Sequence, residues 1–330
     1  MKVIVTGATG FVGGYLVEKL VNEGYKVRAL AHSDKSNTSV LKSLDVEIVY
    51  GDVLDSNAME KAIQGCQQVY HLALMRPRYR FPKKHIVEQV RQTNIQGTEN
   101  VARAALKANV ERLVYTSSVG VYGFITNSPV DETTKPNPNN LRRECKWIAE
   151  QVMLSYHQKH DLPVVVARLT GVLGARTSNW LKLFKDIANQ NFRMIGSGEN
   201  YEHPTCVADI VEGIKLCGRV KDIEGEIYNI ASENPIKVKD LVSLIAEELN
   251  VNNSFDGSPA LFYQPINTVS NLIYKYLHYD LPFSKPLDMF LANRIFDISK
   301  AKKDLGYQPK VSYQEGIQQT ANWYREKGYI

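Results

Sequence analysis

The sequence contains no C-x-x-C pair and no cysteine–histidine grouping at metal-ligand spacing. Its four cysteines, Cys66, Cys145, Cys206 and Cys217, lie far apart. Neither a zinc site nor a disulfide framework is expected, and packed, reduced thiols are. No stretch approaches the ~18 consecutive apolar residues of a membrane-crossing helix, so no span is expected. Charge does not gather in blocks: 40 basic and 35 acidic residues are interspersed, for a formal net charge of +5. That pattern gives no footprint for nucleic acid, while the weak positive field suits an anionic cofactor or substrate. Internal repeats and low-complexity tracts are missing, and so is any Ser-His-Asp or Cys-His arrangement of a hydrolase. Met1-Lys2-Val3-Ile4-Val5 enters a strand at once. No leader peptide is therefore expected, and the expected compartment is the cytoplasm.

What is present is alternation. Short apolar runs such as Val27-Arg28-Ala29-Leu30-Ala31 and Val164-Val165-Val166-Ala167 are too short for helices and suit strands covered on both faces. Strands are expected at about 2–6, 26–31, 46–50, 67–72, 111–116 and 163–169, with helices at about 11–23, 55–64, 85–108 and 140–158. Strand–helix alternation of this kind predicts an α/β fold, a doubly wound parallel Rossmann sheet. After Gly171 the pattern loosens into turn-rich stretches and short helices near 178–189, 206–218, 237–249 and 313–326. The expected division is a dinucleotide-binding domain over 1–170 plus about 206–231, and a substrate domain over 171–205 and 232–330. Residues 261–294 mix aromatic and aliphatic residues with Lys275, Lys285 and Arg294. An amphipathic helix packed on the core is the simple reading. A lid touching a greasy substrate or a membrane surface is the alternative.

Gly7-Ala8-Thr9-Gly10-Phe11-Val12-Gly13 follows the first strand and opens the first helix. Gly7 permits the tight turn, Gly10 lets backbone approach a pyrophosphate, and Gly13 allows close helix–strand packing. The helix start then offers unpaired N–H groups to phosphates, with Thr9, Phe11 and Val12 in the contact. An NAD site normally ends its second strand with an acid for the ribose 2′-hydroxyl. Here Ala31 stands in that place, followed by His32, Ser33, Asp34 and Lys35. His32 and Lys35 suit a 2′-phosphate, so NADP(H) is the expected cofactor. NAD stays open, because Asp34 can turn toward the ribose.

Further segments resemble the extended short-chain dehydrogenase/reductase family, the NAD-dependent epimerase/dehydratase group. Gly51-Asp52-Val53 resembles its adenine contact, through Asp52 and Val53. His71-Leu72-Ala73-Leu74 resembles the segment beneath the cofactor, adding Leu72 and Ala73. Asn94-Ile95-Gln96-Gly97-Thr98 resembles its N-x-x-G-T helix signature, in which Asn94 is read as structural. Thr116-Ser117-Ser118-Val119-Gly120-Val121-Tyr122-Gly123 resembles the segment supplying the catalytic serine, here Ser118, with Thr116 beside the cofactor. Arg168-Leu169-Thr170-Gly171-Val172-Leu173-Gly174 resembles the strand and loop at the nicotinamide, giving Leu169, Gly171 and Val172. Phe296-Asp297, the stretch from Lys300 to Tyr307 and Trp323-Tyr324 also fit, so the resemblance covers nearly the whole chain.

The family's chemistry uses Tyr-x-x-x-Lys, in which lysine holds the nicotinamide ribose and lowers the tyrosine pKa. Cys145-Lys146-Trp147-Ile148-Ala149-Glu150 resembles the lysine segment and assigns Lys146 that role. Four residues earlier, where tyrosine belongs, stands Arg142. Arginine stays protonated at neutral pH and is no acid–base group. Three explanations stay open. Tyr122, Tyr79, His85 or water supplies the proton. Alternatively, Arg142 clamps a carboxylate or phosphate or stabilises an enolate, in a reaction without tyrosine that includes non-redox isomerisation or elimination. Finally, the protein binds a dinucleotide without turnover, as a regulator or assembly partner.

The expected catalytic set is thus Ser118, Lys146, Arg142 and Tyr122, in an oxidoreductase or epimerase-like enzyme. Its substrate is expected to be a small oxygenated metabolite, a nucleotide sugar or a hydrophobic alcohol or ketone. Arg76, Arg78 and Arg80, around Tyr79, are candidates for an anionic substrate. Asp209, in Cys206-Val207-Ala208-Asp209, is read as a structural residue at a helix start. The helices near 85–108 and 140–158 make a homodimer plausible by the same resemblance.

Overall fold

The computed structural model describes residues 1–76, 84–252, 257–277 and 287–330. Seven parallel strands form the main sheet: Lys2–Thr6, Lys26–Ala31, Val46–Tyr50, Gln68–His71, Arg112–Ser118, Val164–Leu169 and Ile227–Ile230. Counted in chain order, they lie in space as 7-6-5-4-1-2-3. The order reverses between the first and fourth strands, which pair in parallel from Val3 opposite Gln68 to Thr6 opposite His71. At such a switch point the connections leave on opposite sides and open a crevice beyond the carboxyl ends of the strands.

Both faces of the sheet are covered, which is why its strands read as continuous apolar runs rather than alternating ones. On one face Val3, Val5, Val114 and Val165 join Leu16, Leu20 and Ile214 from the helices Phe11–Asn22 and Val207–Arg219. On the other, Ile4, Leu113 and Val166 pack with Met59, Val101 and Met153, from the helices Ser56–Ile63, Gly97–Lys107 and Leu141–His160. A third core gathers Phe184, Leu241, Ile245 and Tyr324 from the helices Leu181–Ala188, Val238–Leu249 and Tyr313–Glu326. All four cysteines are buried thiols, none joined to another in a disulfide. Among the described residues, no helix is long and apolar enough to cross a membrane.

Two expectations need correction. The helix anticipated over 85–108 is broken into Lys84–Arg91, a π-helical turn Gln92–Gln96 and Gly97–Lys107. The wide turn holds Asn94, whose amide accepts from the Met75 N–H at 2.8 Å and donates to the Met75 carbonyl at 2.9 Å. A side chain that reads backbone in both directions pins the loop after the fourth strand, and periodicity does not reveal it. Asp209 lies in the first turn of the helix Val207–Arg219, as expected of a structural residue at a helix start. Its carboxylate accepts from the N–H groups of Lys310 and Val311, each at 3.0 Å, and anchors the segment leading to the last helix. Within 261–294, the helix Gln264–Leu277 turns polar residues inward, the reverse of the simple reading.

The helix Leu141–His160 is fixed to the sheet by an ion pair with almost no solvent contact. Arg168 on the sixth strand grips Glu150 through Nη2 to Oε1 at 2.6 Å and Nε to Oε2 at 3.2 Å. The two side chains are 2% and 0% exposed, so neither charge has water to fall back on. Removing one partner of such a pair costs about 3–5 kcal/mol, because the other is left buried and unpaired. Glu150→Gln is expected to lower stability by about 3 kcal/mol in denaturant unfolding. A double variant, Glu150→Gln with Arg168→Met, is expected to recover part of that loss.

Candidate active site

At the end of the first strand the chain turns through Gly7, whose φ is +71°. A Cβ there would sit 2.8 Å from the Ala73 nitrogen, and one on Gly13 only 2.1 Å from the Gly7 carbonyl oxygen. Turn and helix are thus packed backbone to backbone. Gly10 caps the helix with no side-chain hydrogen bond, and no acidic residue occupies the first turn. The first amides of the helix therefore face outward unpaired by side chains, beside a dipole end that favours negative charge. Thr9 is exposed, and Phe11 and Val12 are half-buried. The cradle fits a dinucleotide pyrophosphate.

Beneath the turn runs a hydrogen-bonded chain that fixes the crevice floor. The Thr6 hydroxyl oxygen accepts from the N–H groups of Leu72 and Ala73, so its hydrogen goes to His71 Nδ1, 2.7 Å away. His71 Nε2 lies 2.9 Å from the Thr98 hydroxyl, which donates onward to the Asn94 carbonyl. That accounting leaves only the neutral ring protonated on Nε2. Burial pushes His71 down to about 3, with the nearby Lys146 charge adding to it. Leu72 and Ala73 are thereby held where the notch of Gly7 meets them.

At the far end of the second strand, Ala31 is buried, while His32 and Lys35 are exposed. His32 Nδ1 lies 3.7 Å from an Asp52 carboxylate oxygen. Asp52 also accepts from the Leu54 N–H, and Val53 is buried against Gly97. Leu169 ends the sixth strand, Gly171 follows it, and Val172 begins the short strand Val172–Leu173.

The chemical end lies where the fifth strand meets the helix Leu141–His160. Asn140 caps this helix by accepting from the Arg143 N–H. Lys146, one turn further on, is buried and donates to the Thr116 carbonyl at 2.5 Å, its ammonium 4.7 Å above the Tyr115 ring. Burial, and after it the guanidinium charges of Arg142 and Arg76, lower it from 10.5 to about 7. Three cations therefore converge on one spot, which favours an anion there. Arg76 is steered by Asn179, to which it donates at 2.8 Å. Asn179 was not among the residues singled out from sequence, since only the fold brings it across.

Ser118 ends the fifth strand, and its hydroxyl oxygen accepts from the Gly120 N–H at 3.1 Å. With that lone pair engaged, the hydroxyl hydrogen is directed to whatever oxygen lies in front of it. Arg143 backs the same turn. A Cβ on Gly120 would meet both Ser118 Oγ and the Arg143 side chain. Arg143 is itself tied to buried Asp288 at 2.5 Å, which locks the serine turn to the helix Leu287–Leu291.

Tyr122 is brought elsewhere. Its phenol donates to Asn229 at 2.9 Å and accepts from Arg168 at 2.8 Å, and burial raises it to about 12. The ring stacks on Phe296. Tyr122 serves the network of the Glu150–Arg168 pair, and with both hydrogen-bonding directions taken it is not poised to trade a proton with substrate. His85 is exposed on the helix Lys84–Arg91. Arg78, Tyr79, Arg80 and Lys285 lie outside the described residues.

Comparison with known proteins places this geometry. The model of the family described as "NAD dependent epimerase/dehydratase family" matches residues 3–231. The chain belongs to that family. An Escherichia coli O157:H7 protein, N-acetyl-alpha-D-glucosaminyl-diphospho-ditrans,octacis-undecaprenol 4-epimerase, is 31% identical over 254 residues, 76% of this chain and 72% of its own. A UDP-N-acetyl-alpha-D-glucosaminuronate decarboxylase from Bacillus cytotoxicus is 26% identical over 98% of both chains. Among solved structures, an epimerase from Methanothermobacter thermautotrophicus superposes with a TM-score of 0.77 at 26% identity, over 99% of this chain and 93% of its own. A Bacillus cereus UDP-glucuronic acid 4-epimerase in complex with NAD gives 0.80 at 22% identity over the full length of both chains, a likeness of fold. The epimerase/dehydratase family consists of NAD-dependent enzymes, and the glycine cradle fits NAD(P).

Two outcomes follow for this family member. Gly13→Ala is expected to weaken binding of NAD and NADP at least ~100-fold by calorimetry, because its methyl group displaces the turn that holds the phosphates. The second concerns pH. In the ligand-free protein Lys146 binds its proton less tightly than the unfolded chain does, so the penalty is fully present below about pH 7. It fades as pH rises toward 10.5, and stability is expected to climb across that window. Lys146→Met should remove this slope in urea unfolding measured at several pH values.

Proposed function

We propose that this chain is an NADP(H)-dependent oxidoreductase of the epimerase/dehydratase type, acting on a sugar carried by a diphosphate group. The observation carrying the proposal is the convergence of Arg142 and Arg76 on Lys146 beside Ser118. The names of both curated relatives describe sugars on a diphosphate or UDP carrier, and such substrates bring negative charge that suits these cations.

A bound nicotinamide would supply reversible hydride transfer with the substrate. The protein's own residues do the rest. The Ser118 hydroxyl donates to the reacting sugar oxygen and steadies its developing charge. Arg142 and Arg76 hold the anionic part of the substrate, and Arg142 also stabilises negative charge on the reacting oxygen. Lys146 would hold the nicotinamide ribose. With a pKa near neutrality, it also exchanges the proton that an arginine at position 142 cannot. For the adenosine end, Ala31 in place of an acid and exposed His32 and Lys35 support a 2′-phosphate.

One observation favours a second reading, binding without turnover: the phenol of Tyr122 is committed to Arg168 and Asn229. Single-turnover absorbance at the reduced-nicotinamide band, with nucleotide sugars and polyprenyl-diphosphate sugars, separates the two. A change in that band supports the enzyme. Silence across the panel alongside tight dinucleotide binding supports the second reading. Within the first, Arg142→Ala is expected to raise KM for the anionic substrate about 10- to 100-fold, the worth of a bidentate charge-assisted contact. NADP affinity should stay unchanged. Equal or tighter binding of NAD in calorimetry would overturn the cofactor preference.

A further inference from the structure

Arg176 carries a long side chain on a backbone that favours glycine. Its φ is +73°, in the left-handed region where a Cβ crowds the chain. Such strain persists only where surrounding contacts impose it. Inside the loop 172–180 the contacts near Arg176 are weak. The Thr177 N–H lies 3.4 Å from the Gly174 carbonyl, the Thr177 hydroxyl 3.5 Å from the Val172 carbonyl, and the Asn179 N–H 3.3 Å from the Thr177 hydroxyl. Hydrogen bonds of this length hold little. Trp180 Nε1 donates to the Val172 carbonyl at 2.9 Å and ties the two ends of the loop together, but the tip around Arg176 is held from outside.

That hold comes from the helix Phe11–Asn22. The Arg176 guanidinium donates to both carboxylate oxygens of Glu18, at 2.8 and 3.1 Å, and lies 3.8 Å over the Tyr15 ring. A charged fork and a stacked cation act together there. Tyr15 in turn meets Phe11 edge to face with ring centroids 5.8 Å apart, and Phe11 is the first residue of the helix that opens the phosphate cradle. Three residues beyond Arg176, Asn179 accepts from Arg76 at 2.8 Å. One short loop thus joins the cradle to the cation corner. The Arg176 and Glu18 side chains are 24% and 30% exposed, and an ion pair so open to water adds little to global stability. Its effect is local, one loop fastened to one helix.

We propose that Arg176 is a positioning residue that fastens the loop 172–180 to the phosphate-holding helix, so that a dinucleotide seated in the cradle also orders the loop that steers Arg76. The inference rests on the dinucleotide reading above for what fills the cradle, and not on the reaction. A loop ordered in advance spares a second ligand part of its ordering cost. The dinucleotide therefore strengthens the hold of Arg76 on an anion, and the anion strengthens the hold on the dinucleotide by the same factor.

Hydrogen exchange followed by mass spectrometry on the full-length protein tests it. Glu18→Gln removes the carboxylate and leaves the loop's own sequence untouched. Without ligand, this variant is expected to speed exchange across 174–179 at least ~10-fold, with the helix Val207–Arg219 and the thermal midpoint unchanged. With saturating NADP, exchange in the native protein is expected to slow both at 8–14 and across 174–179. In Glu18→Gln the slowing at 8–14 stays and that across 174–179 is lost. A contact that merely braced the fold would not separate these two segments. If Glu18→Gln does not fold, Arg176→Lys, which keeps the charge and loses the fork, carries the same expectations. The proposal is overturned if the unliganded variant exchanges across 174–179 at the native rate. It is overturned equally if NADP slows that segment alike in native protein and variant, or slows only 8–14 in the native protein. Failure of the cofactor reading looks different: neither NADP nor NAD then slows 8–14 in the native protein, and the unliganded comparison decides the role of Arg176 by itself.

Discussion

The Glu150–Arg168 pair is the constraint on which the site depends. It joins the long helix Leu141–His160 to the sixth strand where neither side chain reaches water, and so sets the rotation of that helix about its axis. One turn before Glu150, Lys146 is thereby aimed at the Thr116 carbonyl, and one turn before Lys146 comes Arg142. The pair also recruits Tyr122 and, through it, Asn229 on the last strand of the sheet. A tyrosine that the sequence offered as a candidate proton donor is thus consumed in holding the scaffold.

The cofactor cradle rests on a different kind of constraint, backbone against backbone. Gly7 and Gly13 leave no room for a Cβ, and the Thr6–His71–Thr98–Asn94 chain fixes the neighbouring loop by hydrogen bonds whose donors and acceptors admit one histidine tautomer. Rigid positioning below contrasts with concentrated charge above. Lys146, Arg142 and Arg76 carry like charge, and the lowered pKa of Lys146 records first its burial and then that repulsion. Sites that gather like charges are commonly built for an oppositely charged ligand.

Much of this was legible in the chain. The glycine spacing, the short apolar runs and the segment around Lys146 place the fold, the cradle and the lysine, because each rests on local geometry: a turn, a strand period, a helical step of four residues. The π-helical turn at Gln92–Gln96 was not legible. Its cause, Asn94 bridging both backbone groups of Met75, is a contact across 19 residues. Asn179 and Asp288 escaped notice for the same reason, since nothing near them in sequence announces Arg76 or Arg143. On Gln264–Leu277, Ile266, Val269, Leu272 and Tyr276 are exposed, which the sequence did not tell, for periodicity says that a helix has two faces and not which one the core receives.

By itself, therefore, the sequence determined what depends on neighbours in the chain: a parallel α/β sheet, a phosphate-binding turn at Gly7–Gly13, and an arginine four residues before the lysine. Tertiary structure alone decided which side chains act and which support. Tyr122 went to the scaffold, Asp209 to the C-terminal segment, and the apolar face of one helix to the outside. The physical reason is that hydrogen-bond partners and burial are set by residues distant in sequence, and a side chain's chemistry follows from what it is packed against.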